Sequence, residues 1–255
     1  MTQNGTIPRA DVCVVALADA FRGDGEIMAN PIGNIPMIGG RVARAVFEPD
    51  LMMTDGEALL VANPMAVGVA DADKLVEAWN PYRTMFDVVW SGRRHVIMGA
   101  SQMDQFGNQN FAFIGEWGKV KSQLLGMRGA PGNTVNHTTS YWIPNHSTRV
   151  FVPKVDVVSG VGYDRAAKLG EWVTSHHEIR RVVTNLAVLD FATPDHRMRL
   201  ASVHPGVTVD EVVEATGFEL AVDDDVPVSR VPTDDELAVI EQVDPNGLRL
   251  QELPG

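Results

Sequence analysis

A single cysteine, Cys13, stands in 255 residues. One thiol makes neither an internal disulfide nor a thiolate metal cluster, and it suits a reducing compartment. Positive charge is scarce as well: 21 Lys and Arg face 33 Asp and Glu, for a formal net charge of −12. An acidic surface repels a phosphate backbone, and the only basic clusters are the short pairs Arg93-Arg94 and Arg180-Arg181, so nucleic acid is excluded as an expected partner. Long apolar runs are also missing. Residues 12–21 are apolar but include Asp19, are too short to span a bilayer, and follow no basic leader with a cleavage site. The expectation is a cytoplasmic protein without membrane contact.

Common catalytic signatures are absent too. No Gly-x-x-x-x-Gly-Lys loop occurs, no Gly-x-Gly-x-x-Gly follows a strand, and there is no Gly-x-Ser-x-Gly elbow. His176 and His177 are adjacent, so on a helix they face apart, and no His-Glu-x-x-His spacing supports a metal; they read as surface or core histidines. Trp79, Trp90, Trp117, Trp142 and Trp172 are scattered, which predicts core packing. What is present is an ordinary globular composition, 45% hydrophobic and 21% charged.

The start of the chain alternates helix and strand. Thr6 and Pro8 open a helix whose apolar face is Val12, Val15, Leu17 and Phe21, ended by Gly23. Residues 30–36 read as a loop, 38–47 as a second helix, and 51–54 as a short strand entering Asp55-Gly56-Glu57. Asp71 or Asp73 opens a further helix that Pro81 closes; strands follow at 95–99, 111–115, 150–158, 182–191 and 197–203. Asp104-Gln105-Phe106-Gly107-Asn108 predicts a hairpin turn with Gly107 at positive φ. Two capping boxes, Thr208 with Glu211 and Thr233 with Glu236, open helices near the end, the first expected to stop at Gly217. The predicted fold class is α/β: an open, mostly parallel sheet flanked by helices in a single domain. Residues 1–221 form that domain, and 222–255 supply an acidic, exposed linker and a C-terminal helix packing on it. The apolar segments 65–70 and 141–144 are candidates for an interface.

Several segments carry a resemblance. They are Asp50-Leu51-Met52-Met53-Thr54-Asp55-Gly56-Glu57-Ala58 continuing to Pro64, Gly99-Ala100-Ser101-Gln102-Met103-Asp104-Gln105-Phe106-Gly107-Asn108, Leu125-Gly126-Met127-Arg128-Gly129-Ala130, Asn185-Leu186-Ala187-Val188-Leu189-Asp190-Phe191, and the run 197–220. In this order, over residues 5–220, they resemble the β subunits of family I CoA-transferases, the glutaconate type above all. The resemblance implies a CoA-transferase-like fold, a homologous α subunit as partner, and a coenzyme A thioester in a cleft between the two. Coenzyme A would be part of the substrate, with no permanently bound cofactor.

Two departures matter. The family attacks the thioester with a glutamate carboxylate, yet the gap-free match puts Gly56 at that position and Glu57 one place later. In extended chain such a slip sends a side chain to the opposite face. Glu57 is therefore either a nucleophile restored by a local bulge or a carboxylate that orders the turn or meets the partner. In the second loop Arg128 stands where the family often has glycine, so its guanidinium either pairs with a substrate carboxylate or salt-bridges surface acids. Gly126, Met127, Arg128, Gly129 and Ala130 are the candidate substrate-binding residues, with Asn108 beside the hairpin, and Glu57 is the catalytic candidate. Both departures point from acyl-CoA transfer toward water attack or carbon–carbon cleavage. Within the family the chain looks closest to the β subunits of actinobacterial steroid ring-opening hydrolases. That implies a cyclic keto-acyl-CoA from cholesterol catabolism, a catalytic glutamate on the α subunit, and an α2β2 heterotetramer. The alternatives are a genuine CoA-transferase using Glu57, and a non-catalytic subunit that only holds the α chain in shape.

Overall fold

The computed structural model describes residues 7–69 and 73–253. Thr6, Ala70 and Asp71, which figure in the expectations above, lie outside the described residues. The chain divides into two compact units: one formed up to Met98 and again from Ser229 onward, the other by Gly99–Val228.

In the first unit, α1 (Arg9–Asp19) buries Val12, Val15 and Leu17, and Gly23 follows at φ 80°. The predicted 30–36 loop is corrected at both ends. Asn30 and Pro31 belong to β1 (Met28–Pro31), and Asn34 already opens α2 (Asn34–Val46). Pro36 is tolerated because it lies in the first turn, where its missing N–H has no intrahelical role. Gly39 lets α2 close on α1, for a Cβ there would sit 2.9 Å from the Val14 carbonyl oxygen. Residues 51–54 hold single bridges, Met28 with Met52 and Thr54 with Leu60, rather than a continuous strand. The helix predicted up to Pro81 is instead β3 (Val76–Trp79), antiparallel to β2 (Leu59–Val61). Val76 and Trp79, a β-branched and an aromatic residue, suit a strand, and Pro81 precedes α3 (Thr84–Ser91) rather than ending a helix. The buried β4 (Arg94–Met98) runs parallel to β1, pairing Met28 with Arg94 and Pro31 with Ile97.

In the second unit, β5 (Gln102–Met103) and β6 (Gln109–Asn110) form the expected hairpin, with Gly107 at φ 82°. β7 (Phe113–Glu116) and β8 (Lys119–Gln123) form another. α4 (Ala130–Asn136) leads into the buried β9 (Thr138–Ile143). Residues 150–158 are not a strand; only Phe151 bridges, to Met103. After the short α5 (Tyr163–Ala166) and α6 (Glu171–His176), β10 (Glu178–Thr184) lies parallel to β9. The single strand predicted over 182–191 is two, since the chain turns back at Asn185-Leu186 into β11 (Ala187–Asp190), which pairs antiparallel with β10 and with β12 (Arg199–Val203). The α/β class holds: parallel pairs lie in both units, with antiparallel strands closing the second. α7 (Val209–Glu214) has its capping box, but it stops before Gly217, which instead packs its Cα against the Phe151 carbonyl, where a Cβ would come within 2.4 Å.

The chain then returns to the first unit with α8 (Asp234–Val243), whose capping box also forms, and α9 (Leu248–Glu252). Four of the five tryptophans correct the core-packing expectation: Trp79, Trp90, Trp117 and Trp172 are exposed, and only Trp142 is buried. The interface expectation for 65–70 and 141–144 is corrected for most of its apolar side chains, while Val69 and Pro144 stay exposed. Met65, Val67, Tyr141, Trp142 and Ile143 are buried within the chain itself.

Candidate functional site

The Asp55 turn is built by one carboxylate. Asp55 Oδ1 accepts the N–H groups of Glu57 (2.9 Å) and Leu59 (3.1 Å), while Oδ2 takes the ammonium of Lys74 at 2.7 Å. Burial raises the Asp55 pKa, but the Lys74 contact and the two backbone donors outweigh it and hold the carboxyl at about 2. Gly56, which the gap-free sequence match lays over the family's nucleophile, adopts φ 91°, a conformation that disfavours any side chain. Glu57 is exposed, and its carboxylate has no hydrogen-bond partner among the described residues. It stands on a turn, not on a strand end.

In the second unit, Gly126 through Ala130 form one continuous loop into α4. Gly126 (φ 94°) donates its N–H to Phe111 at 2.9 Å, and Ala130 donates to Met127 at 2.9 Å. Arg128 has φ 37°, one of two non-glycine residues in the left-handed region among the described residues. Its guanidinium is exposed and meets no acceptor there. Neither Gly126 nor Gly129 has a neighbour within 4 Å of where a Cβ would stand, so the loop is open on that side. Gly126 and Met127 border a groove of about 420 Å³ walled by Phe113, Trp117 and Gln123. The structure thus groups the loop candidates in one place with an aromatic wall that the sequence did not single out.

Asn108 is occupied internally. Its Oδ1 accepts from Gly162 N–H (2.8 Å), and its Nδ2 donates to Asp104 and to Asp164 Oδ1 (2.8 Å). Asp104 is pushed up by burial against the hydrogen bonds from Asn108 and Phe106. Gln109 follows Asn108 in the same hairpin, where amide side chains are expected to bond backbone more often than ligand. It is fully buried, and neither atom of its amide has a hydrogen-bond partner among the described residues. His177 Nδ1 lies 2.5 Å from the Thr134 carbonyl and His176 Nδ1 2.8 Å from the Trp172 carbonyl, so the two rings meet different neighbours. Among the described residues no three His, Cys, Asp or Glu side chains group as metal ligands.

Residues 85–215 match the family model for coenzyme A transferase. The cholesterol ring-cleaving hydrolase IpdB subunit of Rhodococcus jostii is 52% identical over 248 residues, 97% of this chain and 96% of that protein. The chain belongs to the coenzyme A transferase family. The crystal structure of Rhodococcus jostii RHA1 IpdAB superposes with a TM-score of 0.92 at 50% identity, covering 98% of this chain and 99% of that one. Glutaconate coenzyme A-transferase from Acidaminococcus fermentans shares the fold, with a TM-score of 0.79 at 23% identity over 94% and 96% of the two chains. The likeness therefore extends along the whole length, beyond the segments that carry the family motifs. Among the described residues no helix is long and apolar enough to cross a membrane.

Proposed function

We propose that this chain is the β subunit of a cytoplasmic, heteromeric hydrolase that opens a ring of a cyclic keto-acyl-CoA derived from cholesterol. It works with a homologous α subunit in an α2β2 assembly, and the carboxylate that activates water lies on that partner. The observation that carries this reading is Gly56 at φ 91° where a transferase needs its glutamate, in a chain half identical to a ring-cleaving hydrolase subunit. Water adds to the ring ketone, and the carbon–carbon bond next to the thioester breaks. The electron pair moves onto the carbon beside the thioester carbonyl, which takes up a proton, while the former ketone carbon leaves as a carboxylate. Arg128 serves as the cationic partner of a substrate carboxylate, and the groove beside Met127 receives apolar substrate surface. Coenzyme A enters only as part of the substrate, and no resident cofactor is needed.

The competing reading is a transferase in which the exposed Glu57 attacks the thioester. Incubating the co-purified complex with a cyclic keto-acyl-CoA in ¹⁸O-water, then with borohydride, separates the two by mass spectrometry. The hydrolase gives ¹⁸O in the new carboxylate and an unmodified Glu57. A borohydride-reduced Glu57 without ¹⁸O uptake would overturn the proposal.

A further inference from the structure

Thr54, the residue before the Asp55 turn, lines a cavity of about 220 Å³ within the first unit, together with Arg41, Arg44, Met53, Val61 and Asn63. Arg41, on α2, is 8% exposed. One of its N–H groups goes to the Met37 carbonyl at 3.0 Å; the others meet no acceptor, and no acid pairs with it, among the described residues. Burial alone drives its pKa down to about 10. Arg44 differs: its guanidinium reaches the Val61 carbonyl and pairs with Glu77 at 3.2 Å. Asn63 is also spent, between the Asp73 carbonyl and the Leu75 N–H, each at 2.7 Å. The cavity is therefore left with one uncompensated positive charge beside an apolar wall. A buried cation without a counterion is costly, and a bound anion of matching charge removes that cost.

We propose that this cavity binds a short monocarboxylate, with the Arg41 guanidinium as its anion anchor and Met53 and Val61 against its alkyl chain. A single net charge matches a carboxylate better than a dianionic phosphate. The space, about seven water volumes at roughly 30 Å³ each, suits an acid of a few carbons rather than a large ligand. Its lining shares no residue with the Gly126–Ala130 loop, and it does not depend on the ring-opening reading.

Isothermal titration of the co-purified complex with sodium propionate, and separately with inorganic phosphate at matched ionic strength, tests this. Arg41→Met removes the anchor, and Ala45→Trp blocks the cavity from an exposed lining position without touching the core. Saturable propionate binding is expected in the parent complex, weakened roughly tenfold to a hundredfold by Arg41→Met, the span of one charge-assisted hydrogen bond, and weakened by Ala45→Trp as well. If Arg41→Met fails to fold, Ala45→Trp alone decides. The proposal is overturned by absence of saturable propionate binding to the complex, by phosphate binding as tightly, or by unchanged affinity in the folded variants. Binding to the isolated chain but not to the complex also overturns it, since the partner subunit would then fill the cavity.

Discussion

Arg128 combines two properties that rarely meet in a residue kept for surface solubility. Its backbone sits at φ 37°, where a Cβ is disfavoured by about 1 kcal/mol or more, and its guanidinium has no acceptor among the described residues. Strain of that kind persists where a side chain is wanted at a fixed place. Arg128→Gly separates the backbone from the charge. In the complex it is expected to leave thermal stability equal or slightly raised while kcat/KM for the acyl-CoA falls about tenfold to a hundredfold, the loss of a charge-assisted contact. Paired thermal unfolding and steady-state kinetics check this; an arginine that only decorates the surface would leave kcat/KM unmoved. The residue type and its departure from glycine were legible in the sequence. The positive φ was not, because it follows from how the loop enters α4.

At the scale of elements, the capping boxes and the hairpin turn are legible in the sequence, while several strand and loop boundaries are not. Both capping boxes and the Asp104–Asn108 hairpin are closed by residues within five of each other, so their chemistry is visible in a short window. β3 was misread because its identity depends on pairing with β2, and β9 was missed because a fully buried strand shows no alternation. The Asp55 turn shows the same limit, since its brace comes from Lys74, 19 residues on. That brace sets a pH dependence. A carboxyl held at about 2 when folded and at 3.8 otherwise binds its proton more weakly in the folded chain. Its stabilisation is complete above the unfolded value and is lost as pH falls from there through about 2. Asp55→Asn is expected to lower stability at pH 7 and to make the decline between pH 4 and pH 2 shallower than in the parent. Urea denaturation at stepped pH reads both effects, and parallel curves would show that Asp55 does not hold the turn.

For the whole molecule, the decisive contact joins the two ends of the chain. Arg249 on α9 donates to Asp11 on α1 at 2.5 Å, across 238 residues, and also to Asp244 (2.9 Å) and Glu241 (2.7 Å). Asp11 and Asp244 are buried, and burial still raises the Asp11 pKa despite the guanidinium beside it. No sequence window could reveal a pair so far apart; the expectation of a C-terminal helix packing on the domain names no residue it would meet. Such a cluster is worth little against an apolar substitute, yet breaking it on one side leaves charge buried without compensation. Arg249→Met is therefore expected to cost about 3–5 kcal/mol in urea denaturation, since two carboxylates lose their partner at once. Replacing Asp11 as well, in Arg249→Met with Asp11→Leu, should recover part of that loss because one orphaned charge is gone. Additive losses in the double variant would mean that the two side chains act independently, and that the C-terminal helices are held to α1 by apolar packing alone.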